Sequence, residues 1–479
     1  MKQRLVVVSN RLPIALSEVD GKWQIKSGSG GLVTALAPLM NRNHGIWIGW
    51  PGCGPEAPID ALVENFAAEH GYELKPVPLD EQEVEKYYRG FSNEALWPLF
   101  HDLLGNCLFN LDNFRTYEAV NRRFAEIAAQ NSTDDDILWI QDYQLILCGG
   151  YLRDLQPSRL LAFFLHIPFP PPDLLRRLPW CDQLLEGFLA YDLTGFQTMR
   201  DHRNFVHCVT SMLAGVEVRS RHRHHTNLRY RGRTIKVGHY PISIDSRDFA
   251  ERSGTAEVAE AAWYLHENYQ HRQLMLGIDR LDYTKGIPER FLAFERALEK
   301  YPDLRQKISL LQVVVPSRTM VPDYIDLKGQ LEQLAGRING RFSDHSWVPL
   351  RYHYRSLDQI QLLAHYRTAD IALVTPLRDG MNLVAKEYCA CSVDNSGVLI
   401  LSKFAGAADQ LGKHALLVNP YDIEQTADAI YHAFNMPEAE RSRRMSLLRG
   451  QIRRNDVHHW LETFLKALSS KHREQVAEH

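Results

Sequence analysis

Short apolar runs that do not alternate with polar residues recur along this chain, and they narrow its fold more than any other feature. RLVVVS (4–9), DILWIQ (136–141), LLAFFLHI (160–167), YDLTGFQ (191–197), QLMLGID (273–279), ISLLQVVV (308–315) and ADIALVTP (369–376) are apolar at successive positions. A strand with one wet face would alternate; a strand apolar throughout is covered on both faces, as in a parallel sheet between layers of helix. Helical patterns such as IPERFLAFERALEKY (287–301) separate the runs. This rhythm predicts a doubly wound α/β protein with its sites at the C-terminal ends of the strands. At 479 residues the chain calls for two sizeable domains.

Composition serves mainly to exclude. Hydrophobic residues at 45% and charged residues at 24% are those of an ordinary globular protein. With 55 basic against 58 acidic side chains there is no basic excess of the kind that binds nucleic acid or anionic membrane. A few local arginines would still suffice for a small anionic substrate. The apolar run after MKQR is too short for a signal-peptide core, and no stretch approaches the roughly 18 apolar residues of a membrane span. Seven scattered cysteines, among them Cys389 and Cys391 with no second pair at zinc spacing, predict reduced core thiols in a cytoplasmic protein.

The rhythm falters at RSRHRHHTNLRYRGRTIK (219–236), which predicts an exposed loop or hairpin. His222, His224 and His225 within it offer a metal site or phosphate-binding strip; the alternative is a solvated polar loop. HYPISIDSRDF (239–249) reads as a crossover, and residues 255–268 as the first helix of the second domain.

Three segments carry chemistry. In ADIALVTPLRDGMNLVAKEYCAC (369–391) a strand ends at Thr375-Pro376, a loop carries Arg378, Asp379 and Gly380, and a helix is predicted to begin near Asn382. Unpaired N–H groups at a helix start attract phosphate or sugar hydroxyls. Gly380 permits close backbone approach, Asp379 either accepts from sugar hydroxyls or caps the helix, and Glu387 is placed to bridge a vicinal diol such as a ribose. In LGIDRLDYTKGIPERF (276–291), Arg280 and Lys285 follow a strand and precede a helix opened by Pro288. They either gather around a diphosphate or sit in a solvated loop with Arg280 paired to Asp282. In the N-terminal half, SGSGGLVTAL (27–36) is a glycine-rich loop that does not match the dinucleotide fingerprint G-x-G-x-x-G. FFLHIPFPPPDLL (163–175) sets His166 at a strand end, as a buried hydrogen-bonded imidazole or as a ligand contact.

Together these segments resemble the trehalose-6-phosphate synthase family. The matching stretches include VVVSNR, SGSGGL, WIGWPG (47–52), YYRGFSNEALWPLFH (87–101), ILWIQDYQL, FFLHIPFP, RLDYTKGIPERF, TPLRDGMNLVAKEY and GVLILSKFAGAADQL, and they span nearly the whole chain. The resemblance implies a GT-B fold of two Rossmann-like domains facing across a cleft. Residues 1–243 would bind the acceptor, 244–455 the nucleotide sugar, and 456–479 would form a helix crossing back to the first domain. It implies retaining transfer of glucose from a nucleoside-diphosphate glucose, UDP-glucose foremost, to glucose 6-phosphate. It further implies no cofactor, no metal, no nucleic-acid or membrane partner, and a homo-oligomer.

By the same resemblance Arg280 and Lys285 would bind the diphosphate, aided by backbone N–H groups at Leu383 and Val384, and Glu387 the ribose. Asp379, with the backbone of Gly380, Met381 and Asn382, would hold the transferred glucose, and His166 its far edge. Gly30 and Gly31 would close over the donor. Arg11 and Arg318 would clamp the acceptor phosphate beside Tyr88 and Trp97, with Trp50 and Asp142 on the acceptor sugar. The family uses no carboxylate nucleophile, unlike many glycosidases; the departing diphosphate takes the acceptor's proton. One departure stands out: Gln141-Asp142-Tyr143-Gln144 replaces the family's usual His-Asp-Tyr-His. A glucosylglycerol-phosphate synthase, using glycerol 3-phosphate, is the nearest alternative. Those relatives lack the SNR segment and the arginine of VPSR (315–318), both present here. A cyclitol-coupling pseudo-glycosyltransferase and a non-catalytic sugar-phosphate sensor are further alternatives. The intact Arg280, Lys285, Asp379 and Glu387 argue against the sensor.

Overall fold

The computed structural model describes residues 4–477 apart from 20–21, 28–30, 54–57, 270–271 and 319–320. The chain divides into two compact units, one of residues up to Pro241 together with those from Trp460 onward, the other Ile242–His459.

In the first unit the described strands are Leu5–Arg11 (β1), the separate antiparallel ribbon Ile14–Val19 (β2) and Lys22–Ser27 (β3), Ile46–Trp50 (β4), Glu73–Pro76 (β5), Ile137–Gln141 (β6), Leu160–Phe164 (β7), Leu193–Phe196 (β8), Glu217–Arg221 (β9), His225–Tyr230 (β10) and Arg233–His239 (β11). They form a sheet in the order β5-β4-β1-β6-β7-β8-β11-β10-β9. All pairings are parallel as far as β11, and β10 and β9 then add on antiparallel. Strands β4, β6 and β7 are buried at every residue, as their unbroken apolar runs require. From Trp460 the chain packs on this sheet: the Phe464 ring stacks on Trp139 at 4.5 Å, and Trp460 lies 5.4 Å from the same indole.

The basic stretch 219–236 takes the hairpin form of that expectation: β9, β10 and β11 pair antiparallel through short turns and form one edge of this sheet. Its strands do alternate, with Thr226 and Leu228 buried and Arg229 exposed in β10. The arginines fill the wet positions, which hid the two-residue period. His222 and His225 stack ring on ring, and His224 Nδ1 is 3.4 Å from His239 Nε2. Among the described residues no three His, Cys, Asp or Glu side chains are grouped to hold a metal.

The second unit has Gln273–Arg280 (β12), Ile308–Val315 (β13), Leu350–Tyr354 (β14), Ile371–Val374 (β15), Val398–Ser402 (β16) and Leu416–Val418 (β17), parallel in the order β14-β13-β12-β15-β16-β17. The chain builds outward from β12 on one side, then returns to lay β15 on the other. That reversal makes a topological switch point between β12 and β15, where ligands of such sheets bind. The first unit reverses likewise between β1 and β6. The helix Ile287–Lys300 covers the sheet with Ile287, Phe291, Phe294 and Leu298, a spacing that gives one apolar face. The helix expected first in this unit, Ala256–Glu267, is preceded by a shorter one, Ser246–Ser253, capped by the Asp245 carboxylate. Among the described residues no helix is long and apolar enough to cross a membrane, and the seven cysteines are free thiols.

Candidate active site

The switch point of the second unit draws together the residues expected on the donor. Strand β12 ends at exposed Arg280, and a single 3-10 turn, Tyr283–Lys285, brings the chain to Gly286 at φ 63°. A Cβ at Gly286 would lie 2.4 Å from the Thr375 carbonyl, so glycine lets the loops after β12 and β15 touch. Lys285 Nζ then meets Asp379 Oδ2 at 2.5 Å, 94 positions along the chain. Asn382 donates to the same oxygen at 3.2 Å, and the Met381 N–H points at Asp379 Oδ1 at 3.4 Å. The helix near Asn382 begins later than expected, at Val384, because Asn382 is left-handed at φ 68°. Leu383 sits at its N-cap with no side chain capping it, which leaves the N–H groups of this terminus facing outward.

The loop Asp379–Asn382 is pinned from behind. Asp379 and Met381 carbonyls accept from the N–H groups of Gly406 and Ala407, at 3.1 and 2.8 Å. A Cβ on Gly406 would lie 1.8 Å from the Gly380 oxygen, so KFAGAADQL contributes a glycine the site depends on. Under the loops, Arg290 binds Asp279 (2.5 Å), Gln312 (2.8 Å) and Thr375 (3.0 Å), tying the ends of β12, β13 and β15 together.

Charge is organised around these contacts. Asp282 does not pair with Arg280; Arg318 Nη1 lies 3.8 Å from its carboxylate and Tyr324 donates to it at 3.4 Å. Burial opposes its charge, but Arg318, Lys285 and Arg280 together outweigh that and hold the carboxyl below its usual range. Arg318 itself is left-handed at φ 47° and hydrogen-bonds the Tyr324 hydroxyl. Burial raises the Glu387 carboxyl, partly countered by the Tyr366 hydroxyl that donates to Oε2 at 2.7 Å. Its neighbour Lys386, whose ammonium donates to the Ile242 carbonyl at 2.7 Å, is pushed down to about 7 by burial.

Most of the remaining expected residues lie in the first unit, Arg11, Trp50, Asp142 and His166 at or just past the carboxyl ends of its strands and Tyr88, Trp97 and Gly31 on helices. Arg11 ends β1 and lies 4.4 Å over the Trp50 ring, which ends β4; Tyr88 is 6.2 Å from the same ring. Gly52, at φ 88°, leaves room for the Arg11 guanidinium, which a Cβ would meet at 1.5 Å. Asp142 follows β6 in the left-handed region at φ 70°, and its Oδ1 accepts the His166 N–H at 3.1 Å. Trp97 is buried against His101 and Tyr143. Gly31 opens the helix Gly31–Arg42, and Gly30 lies outside the described residues. The residues expected on the acceptor are thus divided, with Arg318 alone in the second unit.

Gln141 proves more than a departure from a motif. His166 Nε2 donates to Gln141 Oε1 at 3.0 Å, while Gln197 reaches Nδ1 at 3.5 Å, so the two amides select one tautomer of the ring. Burial pushes this imidazole down to about 3, and it is uncharged at neutral pH. The segment Val84–Leu96 winds as a π-helix, a geometry often found at sites. Tyr87 donates to Asn10, and Tyr143 to Asn93, both at 2.9 Å. Sequence reasoning missed Arg290, Gly406, Gly52, Tyr366 and the π-helix. Gly52, Gly406, Arg290 and most of the π-helix lie within the matching stretches, but nothing local in those stretches announces the contacts they make.

Residues 3–470 match glycosyltransferase family 20 as a whole. The chain belongs to glycosyltransferase family 20. A trehalose-6-phosphate synthase of Mycolicibacterium gilvum is 42% identical over 478 residues, covering 98% of this chain and 94% of that protein. A UDP-forming α,α-trehalose-phosphate synthase from Burkholderia xenovorans, solved in complex with glucose-6-phosphate, has TM-score 0.86 and 35% identity, covering 97% of this chain and 100% of that one. The E. coli protein bound with UDP-2-fluoro glucose has TM-score 0.86 and 37% identity, with 97% and 99% covered. Family 20 membership makes the chain a glycosyltransferase of GT-B fold, and its two Rossmann-like units are the two parallel sheets described above.

Proposed function

We propose that this family 20 chain transfers glucose from UDP-glucose to glucose 6-phosphate with retention, forming α,α-trehalose 6-phosphate. The observation that carries the reading is the switch point where Lys285, Asp379 and an uncapped helix N-terminus meet beside Arg280. The UDP-2-fluoro glucose and glucose-6-phosphate held by the similar proteins support the donor and acceptor.

In this reading the bond between the anomeric carbon and the diphosphate oxygen breaks, and the same face of that carbon accepts the anomeric hydroxyl of glucose 6-phosphate. The proton of that hydroxyl passes to the departing diphosphate. Negative charge grows on the leaving group, and Arg280, Lys285 and the N–H groups at Leu383 and Val384 answer it. Lys285 has three N–H donors, so its bond to Asp379 leaves two for phosphate oxygens. Asp379 and the backbone of Gly380, Met381 and Asn382 hold the glucose hydroxyls, and Glu387 takes the ribose. His166, kept neutral, orients a hydroxyl rather than protonating one. Arg11 and Arg318 bind the acceptor phosphate, with Tyr88 and Trp97 supporting that end and Trp50 and Asp142 on its sugar.

A matrix of UDP-, ADP- and GDP-glucose against glucose 6-phosphate and glycerol 3-phosphate tests the reading. UDP-glucose with glucose 6-phosphate should be the best pair, and the product should show α configuration at both anomeric carbons by NMR. Transfer to glycerol 3-phosphate but not glucose 6-phosphate would overturn it.

A further inference from the structure

A cavity of about 750 Å³ opens in the first unit between the helix Met199–Met212 and the turn from β9 to β10. No residue that lines it belongs to the strand-end sites above. The helix contributes buried His202 and, four residues apart and so neighbours on its surface, Arg203 and His207, and the turn contributes Arg221, His222 and Arg223. Among the described residues no carboxylate lines this space, and none of its three arginines has an ion-pair partner. Arg219, on the same strand as Arg221 but outside the cavity, is paired to Glu217 at 2.9 Å. The neighbouring Asp201 is turned away, accepting from the Phe169 N–H at 3.0 Å and the Thr198 hydroxyl at 2.5 Å.

His202 supplies an independent observation. It is 4% exposed, and neither ring nitrogen has a hydrogen-bond partner among the described residues. Buried polar atoms are rarely left so. Burial first, with smaller contributions from His239, His225, Arg203 and Arg221, pushes its imidazole down to about 4. Three guanidiniums around one space with no carboxylate among the described residues of its lining are what an incoming anion would neutralise. The volume lies within the range of small-molecule sites, and guanidinium forks match phosphate oxygens in pairs.

We propose that this cavity binds a small molecule carrying two or more phosphate groups, gripped by Arg203, Arg221 and Arg223 over the wall formed by His202. Three separate guanidiniums on two facing elements suit several phosphates better than one. The near-neutral net charge of the chain favours a small ligand over a nucleic acid.

The test is calorimetric titration of inorganic tripolyphosphate into the full chain carrying Arg280→Ala and Lys285→Ala, which removes the diphosphate contacts assigned to the donor. One tripolyphosphate per chain should still bind. Adding Arg221→Gln and Arg223→Gln should weaken that binding by about tenfold or more, since charge-assisted contacts are lost. Arg219→Gln should leave it unchanged, and the added arginine substitutions should leave the unfolding temperature of the Arg280→Ala, Lys285→Ala chain unchanged. Absence of binding in the Arg280→Ala, Lys285→Ala chain would overturn the proposal. So would affinity indifferent to Arg221 and Arg223, or a single-stranded oligonucleotide competing better than tripolyphosphate at equal phosphate.

Discussion

Replacing Arg290 with methionine probes the scaffold under the switch point. Arg290 is 1% exposed and holds Asp279, itself 7% exposed, at 2.5 Å. Methionine keeps most of the side-chain volume but leaves Asp279 with a single side-chain donor, Gln312 Nε2 at 3.2 Å. Removing one partner of a buried ion pair costs about 3–5 kcal/mol, because the other charge stays desolvated. In a unit of roughly 200 residues each kcal/mol moves the melting temperature by ~2–4 °C, so Arg290→Met should lower it by roughly 6–20 °C. Thermal unfolding followed by circular dichroism measures this directly. If the orphaned charge is the cause, adding Asp279→Asn removes it and should recover about 1 kcal/mol or more. Loss of Arg290 also frees Thr375 and the Lys285 carbonyl, so donor KM should rise in both variants. A single variant that melts with the wild type, or a double variant less stable than the single one, would refute the reasoning.

Other expectations follow from the same geometry. Lys285→Ala should lower kcat by about 10²–10³-fold with the fold intact, the usual effect of losing one donor to a developing anion; turnover near wild type removes it from the leaving group. Arg318→Ala should depress transfer to glucose 6-phosphate much more than donor hydrolysis, and equal losses in the two assays would take Arg318 out of the acceptor site. His166 is held at about 3 against an ordinary 6.5, so between those values the unfolded chain binds a proton the folded chain does not. Stability therefore falls as pH falls through that window, by about 1.4 kcal/mol per pH unit for the one proton. His166→Gln should flatten the acid side of a melting-temperature profile accordingly; an unchanged slope would show that the ring is not held neutral by burial.

Much of the candidate site was legible from position alone. Residues that follow an apolar run and precede a helix pattern, as Arg280, Lys285, Asp379 and His166 do, lie at strand ends in any parallel sheet. The basic stretch 219–236 could be read only as a loop or hairpin, because alternation in an edge strand is weak when both arginine and histidine fill its wet positions; the structure selects the hairpin. The start of the helix at Val384 was two residues off because Asn382 adopts a left-handed turn that no local pattern announces. Arg290 reads as one more polar position in an amphipathic helix until the strand ends it joins are known.

What the sequence determined by itself was the class of fold and the kind of chemistry. Unbroken apolar strands must be covered on both faces, and the motifs of this family carry the candidate donor residues in order. What only the tertiary structure decided was who meets whom: Lys285 with Asp379, Gln141 with His166, Arg290 with Asp279 and Thr375, and Arg11 beside Gly52. Each of these meetings depends on strand order or on the path of a turn. Strand order is set by how separate apolar faces bury one another in three dimensions, and no periodicity within a single segment records that choice.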